Sequence, residues 1–416
     1  MIFVAIIFFC FLLFLIHHRN GIDAAFYMAM LYLVTLIAGV FVINYQYDPF
    51  KFADFPISLE PTVVYCILIG ITLISVARFN TNNIEKIIIH SPKTITIITW
   101  TLGISAIIYL VSQSAELIMR LQYGDFGELR NMIYDEDLSD TKYDGLLGKI
   151  ILTATILCSF SYIMIPILCI SLIWENRSKL FYAFMMFASI GVIFIGIMGI
   201  DRSKVLYYIL LWGLCLVIFW KKFDVSIRKR ITPVLSIGIA LLIGYFALVT
   251  NDRFSEKANG NTGGLIWYTG QSYINFCYFW DYFDKQDEFS TRYLLPATHH
   301  FIFDDYMSGV NRQTELTEQT GTWVNVFYTF LGSFLVDCNH SAPFLYVLLF
   351  LILMIVCKRH KQDGEISFFW FLCTWILLVV PTTGVIAYMY NSYSITITIA
   401  IILMVTATTE YLTVKK

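Results

Sequence analysis

The side chains of this sequence best suited to chemistry are basic and stand outside its apolar runs. The arginines among them are Arg120, Arg130, Arg202 and Arg253. A guanidinium group keeps its charge at every physiological pH, and its fork of N–H donors matches the oxygens of a phosphate. Lys204 stands two residues after Arg202 at the start of an apolar run, where a helix N-terminus would add partial positive charge. We therefore expect these residues to bind an anionic group.

Each arginine also has a plainer interpretation. Arg202 follows Asp201 and can pair with it at a membrane surface, with its aliphatic stem along apolar groups. Arg120 and Arg130 can pair with carboxylates close by in the chain, and Arg253 can belong to a solvated, glycine-rich loop. The carboxylates are Glu116, Asp125 and Glu128, and the loop is 259–264.

The adjacent histidines His299 and His300 follow Pro296 and precede Asp304 and Asp305. Neighbouring side chains on a helix point in different directions and no thiolate joins them, so we predict no metal site. With an unperturbed pKa of about 6.5, a histidine can serve as a general base. Ordinary hydrogen-bonded histidines remain the alternative.

The composition shows which elements must position these residues. The 416 residues are 58% hydrophobic and only 14% charged, and the mean hydropathy is +0.70. A soluble domain carries about 25% charged residues, so a soluble enzyme, a disordered chain and a secreted disulfide scaffold are excluded. The net charge of −2 gives no reason to expect nucleic-acid binding. The composition predicts one all-α, polytopic membrane domain over 1–416.

A helix that crosses the bilayer needs roughly 20 mostly apolar residues. Eleven runs qualify: 1–16, 24–43, 62–77, 94–112, 150–174, 180–199, 205–220, 231–249, 343–357, 366–380 and 385–408. We therefore predict about eleven transmembrane helices.

The distribution of charge predicts the orientation of these helices. The short loops carry Lys and Arg clusters such as 228–230, whereas the loops 113–149 and 250–342 are long and acidic. By the positive-inside rule the basic loops are cytoplasmic and the long loops external, with the N-terminus outside. A further apolar segment, 323–336, would reach only about 21 Å as a helix. We expect it to be a re-entrant or surface segment.

The larger external loop is expected to contain short helices. Its segment 266–283 is rich in aromatic residues, among them Tyr268 and Trp280, and such a composition argues against disorder. We expect it to fold back onto the membrane domain and to cover a cavity. No phosphate-binding, dinucleotide-binding or zinc-protease motif is present in the sequence. A transferase of this composition would need a donor that is already activated and held in the membrane.

Three segments together resemble bacterial O-antigen polymerases (Wzy type), in the oligosaccharide repeat-unit polymerase family. Gly199–Ser203 is similar to the Gly-x-Arg-Ser turn of that family, and Arg253–Gly264 fits its Arg-x-ten-Gly pattern. Gly321–Asp337 resembles the family segment with an Asn-x-(Tyr)-Thr core, which appears here as Asn325, Tyr328 and Thr329. The smaller loop departs from the pattern, because the residues at positions 131 and 141 are Asn and Thr rather than Gly.

The resemblance implies a glycosyltransferase of the GT-C type at the periplasmic face of the bacterial inner membrane. It would transfer a growing glycan from undecaprenyl diphosphate to the sugar of a second lipid-linked repeat unit, with inversion and without a metal or cofactor. A chain-length regulator protein would be a further partner. The arginines would stabilise the diphosphate leaving group, and His299 or His300 would accept the proton of the acceptor hydroxyl. Tyr268 and Trp280 would hold sugar faces.

Three other functions are compatible with parts of this pattern. An O-antigen ligase would use the same donor with a lipid A core acceptor. A lipid-linked oligosaccharide flippase would place polar residues opposite each other at mid-membrane. A glycan acyltransferase would require a histidine but no arginine set.

Overall fold

A computed structural model describes residues 1–45, 48, 50–123, 145–254, 261–283, 294–303, 309–324 and 326–414. The helices are α1 (Ile2–Asn20), α2 (Ala24–Tyr45), α3 (Leu59–Phe79), α4 (Pro92–Tyr123), α5 (Gly145–Cys158), α6 (Met164–Trp174), α7 (Lys179–Ser189), α8 (Gly191–Met198), α9 (Arg202–Phe219), α10 (Val225–Phe254), α11 (Asn261–Tyr282), α12 (Pro296–Phe303), α13 (Gly309–Thr320), α14 (Thr329–Asp337), α15 (Ala342–Arg359), α16 (Phe368–Thr383) and α17 (Tyr393–Val414). The strands are β1 (Lys86–Ile88), β2 (Lys361–Gln362) and β3 (Glu365–Ser367), in the order β1-β3-β2.

Within the described residues, nine helical segments are long and apolar enough to cross a membrane. The chain is therefore an all-α, multi-pass membrane protein. A tenth span is formed if α5 and 161–174, which meet at 47°, are counted as one bent helix. The predicted run 366–380 corresponds to α16, whose sixteen residues reach only about 24 Å. The last span begins at Tyr393, eight residues later than predicted.

The chain divides into two compact units, each described here by itself. The first contains Met1–Lys86, Phe254–Ile366 and Trp370–Tyr393. Its α11 packs along α2, and a Cβ on Gly270 would lie 2.5 Å from the backbone of Ala38 and Gly39. Small residues allow two helix backbones to approach this closely, and dispersion contacts then hold them together inside a membrane.

The loops at one end of the first unit are tied together by amide side chains. Asn82 Nδ2 donates to the carbonyls of Asn20 and Ile22 at 2.8 and 3.0 Å. Lys361 Nζ donates to the carbonyls of Phe79 and Asn80, which are left without intrahelical partners where α3 ends. Strands β2 and β3 form an antiparallel hairpin next to this lysine.

The second unit contains Ile87–Arg253, Ser367–Phe369 and Ser394–Lys416. Its centre is α4, which packs against α5, α7 and α8. Ala106, Tyr109, Cys158 and Met198 form a buried cluster among these helices. Helix α17 is fixed to this unit by Thr398, whose hydroxyl donates to the carbonyl of Ile156 at 2.7 Å.

Candidate functional site

The turn between α8 and α9, residues 199–201, holds the backbone of a β-branched residue in an unfavourable conformation. Ile200 has φ +49°, in the left-handed region that β-branched side chains rarely adopt. Asp201 N donates to Gly196 O at 2.8 Å, and a Cβ on Gly196 would lie only 3.2 Å from Asp201 O. Such conformations cost about 1–3 kcal/mol and are frequent at functional sites, so this turn is a candidate site on backbone geometry alone.

Asp201 organises the charged groups of this turn. Its Oδ1 accepts hydrogen bonds from Ser203 N at 3.0 Å and from the Ser203 hydroxyl, so Asp201 is the N-cap of α9. Its Oδ2 accepts a hydrogen bond from Lys204 Nζ at 2.6 Å. The sequence allowed Asp201 to pair with Arg202, and the structure shows an ion pair between Asp201 and Lys204. The charge of Lys204 is therefore already compensated in part.

Arg202 is the first residue of α9, and only 2% of it is exposed. A cation is rarely buried unless polar or anionic groups surround it. Tyr245 on α10 interacts electrostatically with both Asp201 and Arg202, and Tyr162 donates its hydroxyl hydrogen bond to Lys204 O at 3.0 Å. The buried Arg202 thus lies in a region with two tyrosines, Tyr162 and Tyr245, that the sequence did not single out.

The other predicted anion-binding residues are located less completely. Arg120 belongs to α4 and Arg253 to α10, but their side chains lie outside what the structure describes. Arg130 also lies outside the described residues, as do most of the loop 113–149 and Asn325. The convergence of four arginines therefore remains a prediction, and Arg202 with Lys204 is the only part of the set whose side chains are described.

The aromatic segment 266–283 is helical, as α11 extends to Tyr282, and it contributes to the interior of the first unit. Tyr268 packs against Phe327 with ring centroids 4.6 Å apart. Trp280 Nε1 donates to Glu60 at 3.2 Å, and its ring lies edge-on to His340 at 4.8 Å. Both rings therefore have protein partners, and their proposed contact with sugars remains a prediction.

The predicted general bases lie on the short helix α12, which also belongs to the first unit. The His299 ring is 4.8 Å from Phe303, and the His300 ring is edge-on to Tyr393 at 5.6 Å. Among the residues that the structure describes, no group of three His, Cys, Asp or Glu side chains could hold a metal ion. Aromatic contacts position both imidazoles, and their catalytic role remains a prediction.

Two polar side chains of α11 form hydrogen bonds with the segment 321–337. Asn275 Nδ2 donates to Phe327 O at 2.7 Å, and Phe327 N donates to Gln271 Oε1 at 3.2 Å. Two amides four residues apart on α11 thus hold the backbone just before α14. A Gln and an Asn four residues apart in an aromatic-rich helix were the sequence signal that could have revealed this arrangement.

Thr329, the first residue of α14, is fully buried and has φ +66°. Its N–H donates to Ile386 O at 2.9 Å, and Phe330 N donates to Gly384 O at 2.8 Å. The Thr329 hydroxyl makes no hydrogen bond within the described part of the chain. This segment and the turn 199–201 therefore both hold a β-branched residue at positive φ.

A comparison of the chain with protein-family models, curated proteins and solved structures gives no match to any of them. The functional interpretation therefore rests on the residues and their geometry.

Proposed function

We propose that this protein is a glycosyltransferase that polymerises undecaprenyl-diphosphate-linked oligosaccharide repeat units at the periplasmic face of the bacterial inner membrane. The single observation that supports it most is the buried Arg202 on the strained turn 199–201. A guanidinium group with little contact to water interacts more strongly with an anion than an exposed one, because little solvent screens it. It also needs no metal to stabilise charge.

In the proposed reaction the acceptor sugar hydroxyl attacks the anomeric carbon of the donor glycan. The bond between that carbon and the diphosphate oxygen breaks, and undecaprenyl diphosphate leaves with the bonding electrons. Arg202 stabilises the leaving group, with Arg253, Arg120 and Arg130 as further candidates. The hydroxyl proton passes to a general base of the protein. Direct attack inverts the anomeric centre.

The glycan ladder of a deletion strain tests this proposal. Complementation with the wild-type gene should restore long glycans, whereas Arg202→Ala should reduce polymer by tenfold or more, which corresponds to about 1.4 kcal/mol of lost stabilisation. Arg202→Lys should restore it only partly, since an ammonium group lacks the planar fork. Arg78→Ala is the matched control, because Arg78 is an exposed arginine at the end of α3. Each variant's amount in membranes is measured by immunoblot.

The deletion phenotype separates the proposal from its nearest alternatives. Lipopolysaccharide that carries a single repeat unit indicates a missing polymerase. Complete loss of surface glycan indicates a ligase or a flippase and contradicts the proposal. Full ladders from Arg202→Ala would show that Arg202 is not part of the site.

One observation favours transport as a second candidate. Tyr32 on α2 and Tyr65 on α3 are fully buried, their rings are 6.4 Å apart, and neither hydroxyl makes a hydrogen bond in the described residues. Tyr273 lies against Tyr65 and shares a 2.8 Å hydrogen bond with Thr62. Hydroxyls without hydrogen-bond partners inside a bundle are available to bind a polar substrate. Lipid-linked repeat units that accumulate on the cytoplasmic side of the deletion strain would identify a transporter.

A further inference from the structure

We infer that the groove between α4 and α5 binds an anionic phospholipid of the surrounding bilayer, with Lys149 on its phosphate and one acyl chain between the helices. The groove lies wholly within the second unit. It is lined by Ser105, Ile108, Lys149, Ile150, Thr153 and Ala154 and encloses about 250 Å³. Pockets for drug-sized ligands enclose about 300–1,000 Å³, so this groove suits a segment of a chain better than an oligosaccharide.

Lys149 lies near the beginning of an apolar helix. It stands four residues, or about 6 Å, inside a helix that is part of a bent candidate span. Leu146, Leu147 and Ile150 are 78%, 70% and 42% exposed around it, so this face of α5 is apolar and meets lipid. Lys149 is itself exposed on this face, where its stem can bring the ammonium group to the headgroup level and favour an anionic partner.

That partner is not supplied by the described part of the chain. The Lys149 side chain makes no ion pair and no hydrogen bond there, and its carbonyl accepts a hydrogen bond from the Thr153 hydroxyl at 2.8 Å. Ser105 donates to Thr101 O at 2.8 Å, so the hydroxyls of the groove are bonded to their own helices. The ammonium group is thus the one charged group in the groove lining, and its complement is an anion.

A phospholipid complements both the ammonium group and the apolar side chains of the groove lining. Its phosphate neutralises the ammonium, which the long lysine stem can carry toward the headgroup level. Its acyl chain lies against Ile108, Ile150 and Ala154, whose apolar side chains offer no other specificity. A basic residue near the membrane surface contributes about 1 kcal/mol to the binding of anionic lipid, or about fivefold in affinity.

Native mass spectrometry of the delipidated, full-length protein tests the inference, with added phosphatidylglycerol or phosphatidylcholine. We expect Lys149→Met to weaken phosphatidylglycerol binding about fivefold and to leave phosphatidylcholine binding unchanged. Lys149→Arg should retain the preference. Lys179→Met is the matched control, because Lys179 is an exposed lysine at the start of α7 and does not line the groove.

Two results would overturn the inference. One is unchanged phosphatidylglycerol binding by Lys149→Met, or an equal loss in Lys179→Met. The other is a wild-type protein that retains an added polyprenyl diphosphate through Lys149 but no phosphatidylglycerol. Since binding is measured without turnover, either result leaves the glycosyltransferase proposal standing, and a failed glycan-ladder test leaves this inference standing.

Discussion

Lys204 Nζ lies 2.6 Å from Asp201 Oδ2, so the carboxylate that caps α9 also holds the lysine that follows it. The same carboxylate lies within electrostatic reach of Tyr162 and Tyr245. One acidic residue therefore fixes the start of a membrane helix and sets the charge around Arg202. Substitutions at Asp201 can separate these two roles.

We expect Asp201→Ala to lower the stability of the protein by about 1–2 kcal/mol, because the cap of α9 is lost. Asp201→Asn should cost less, since an Asn side chain caps equally well and a partly exposed ion pair contributes only about 0.2–1 kcal/mol. Thermal unfolding in detergent measures both. Equal melting temperatures for the two variants would contradict the assignment of Asp201 as a cap.

Gly270→Ala should destabilise the first unit by about 1–3 kcal/mol or more, because its Cβ would lie 2.5 Å from the backbone of α2. Gly238→Ala on α10 is the control: no atom lies within 4 Å of its Cβ position, so the gain in helix propensity should stabilise it by up to about 1 kcal/mol. The melting temperatures of the two variants should move in opposite directions. A neutral Gly270→Ala would show that α2 and α11 are further apart.

Thr329→Val should raise the melting temperature. It removes a buried hydroxyl that lacks a hydrogen bond, and such groups cost about 1–3 kcal/mol. Thr398→Val should lower it, because the Thr398 hydroxyl donates to Ile156 O and Ser394 O. If Thr329 contacts a substrate, the stabilised variant will also lose polymer in the glycan-ladder assay. A destabilised Thr329→Val would indicate a hydrogen bond to the hydroxyl in the native protein.

We expect Lys361 to make the stability of the protein depend on pH. Burial, with a smaller effect of Lys358, lowers the pKa of Lys361 from 10.5 to about 8. Between these values the folded protein binds fewer protons than the unfolded chain, so the contribution of Lys361 to stability rises with pH. Lys361→Met should remove this rise from melting curves recorded between pH 8 and pH 10.5. Lys86→Met, which changes a lysine side chain that is 57% exposed, should retain it.

The sequence was sufficient to predict an all-α, multi-pass membrane protein, because a run of about 20 apolar residues has few alternatives to a membrane helix. The sequence did not show which apolar runs form helices too short to cross the membrane. Helix α16 contains Pro381 and ends at Thr383, and its apolar composition gives no sign of the turns at 384–392 that follow. The cover that we predict from the aromatic content of 266–283 remains a prediction, and the packing of α11 along α2 is a long-range contact that this content does not reveal.

The candidate site was predicted in part. The Arg202 turn was identified from residue types and spacing, but the ion pair between Asp201 and Lys204 depends on a side-chain geometry that spacing does not determine. Tyr245 is 43 residues from Arg202 in sequence, and the Asn275–Phe327 contact joins residues 52 apart. Contacts of this kind arise from packing, so a single sequence contains no periodic signal for them.

The two hydrogen bonds from Thr329 and Phe330 to the carbonyls of Ile386 and Gly384 have a consequence for how the chain is made. These N–H groups leave the ribosome more than fifty residues before their acceptors. Until the later residues arrive, α14 has backbone donors that hydrocarbon cannot satisfy. During synthesis this segment must therefore wait in water or in the insertion machinery, and it completes its fold only after the chain beyond Pro381 has been added.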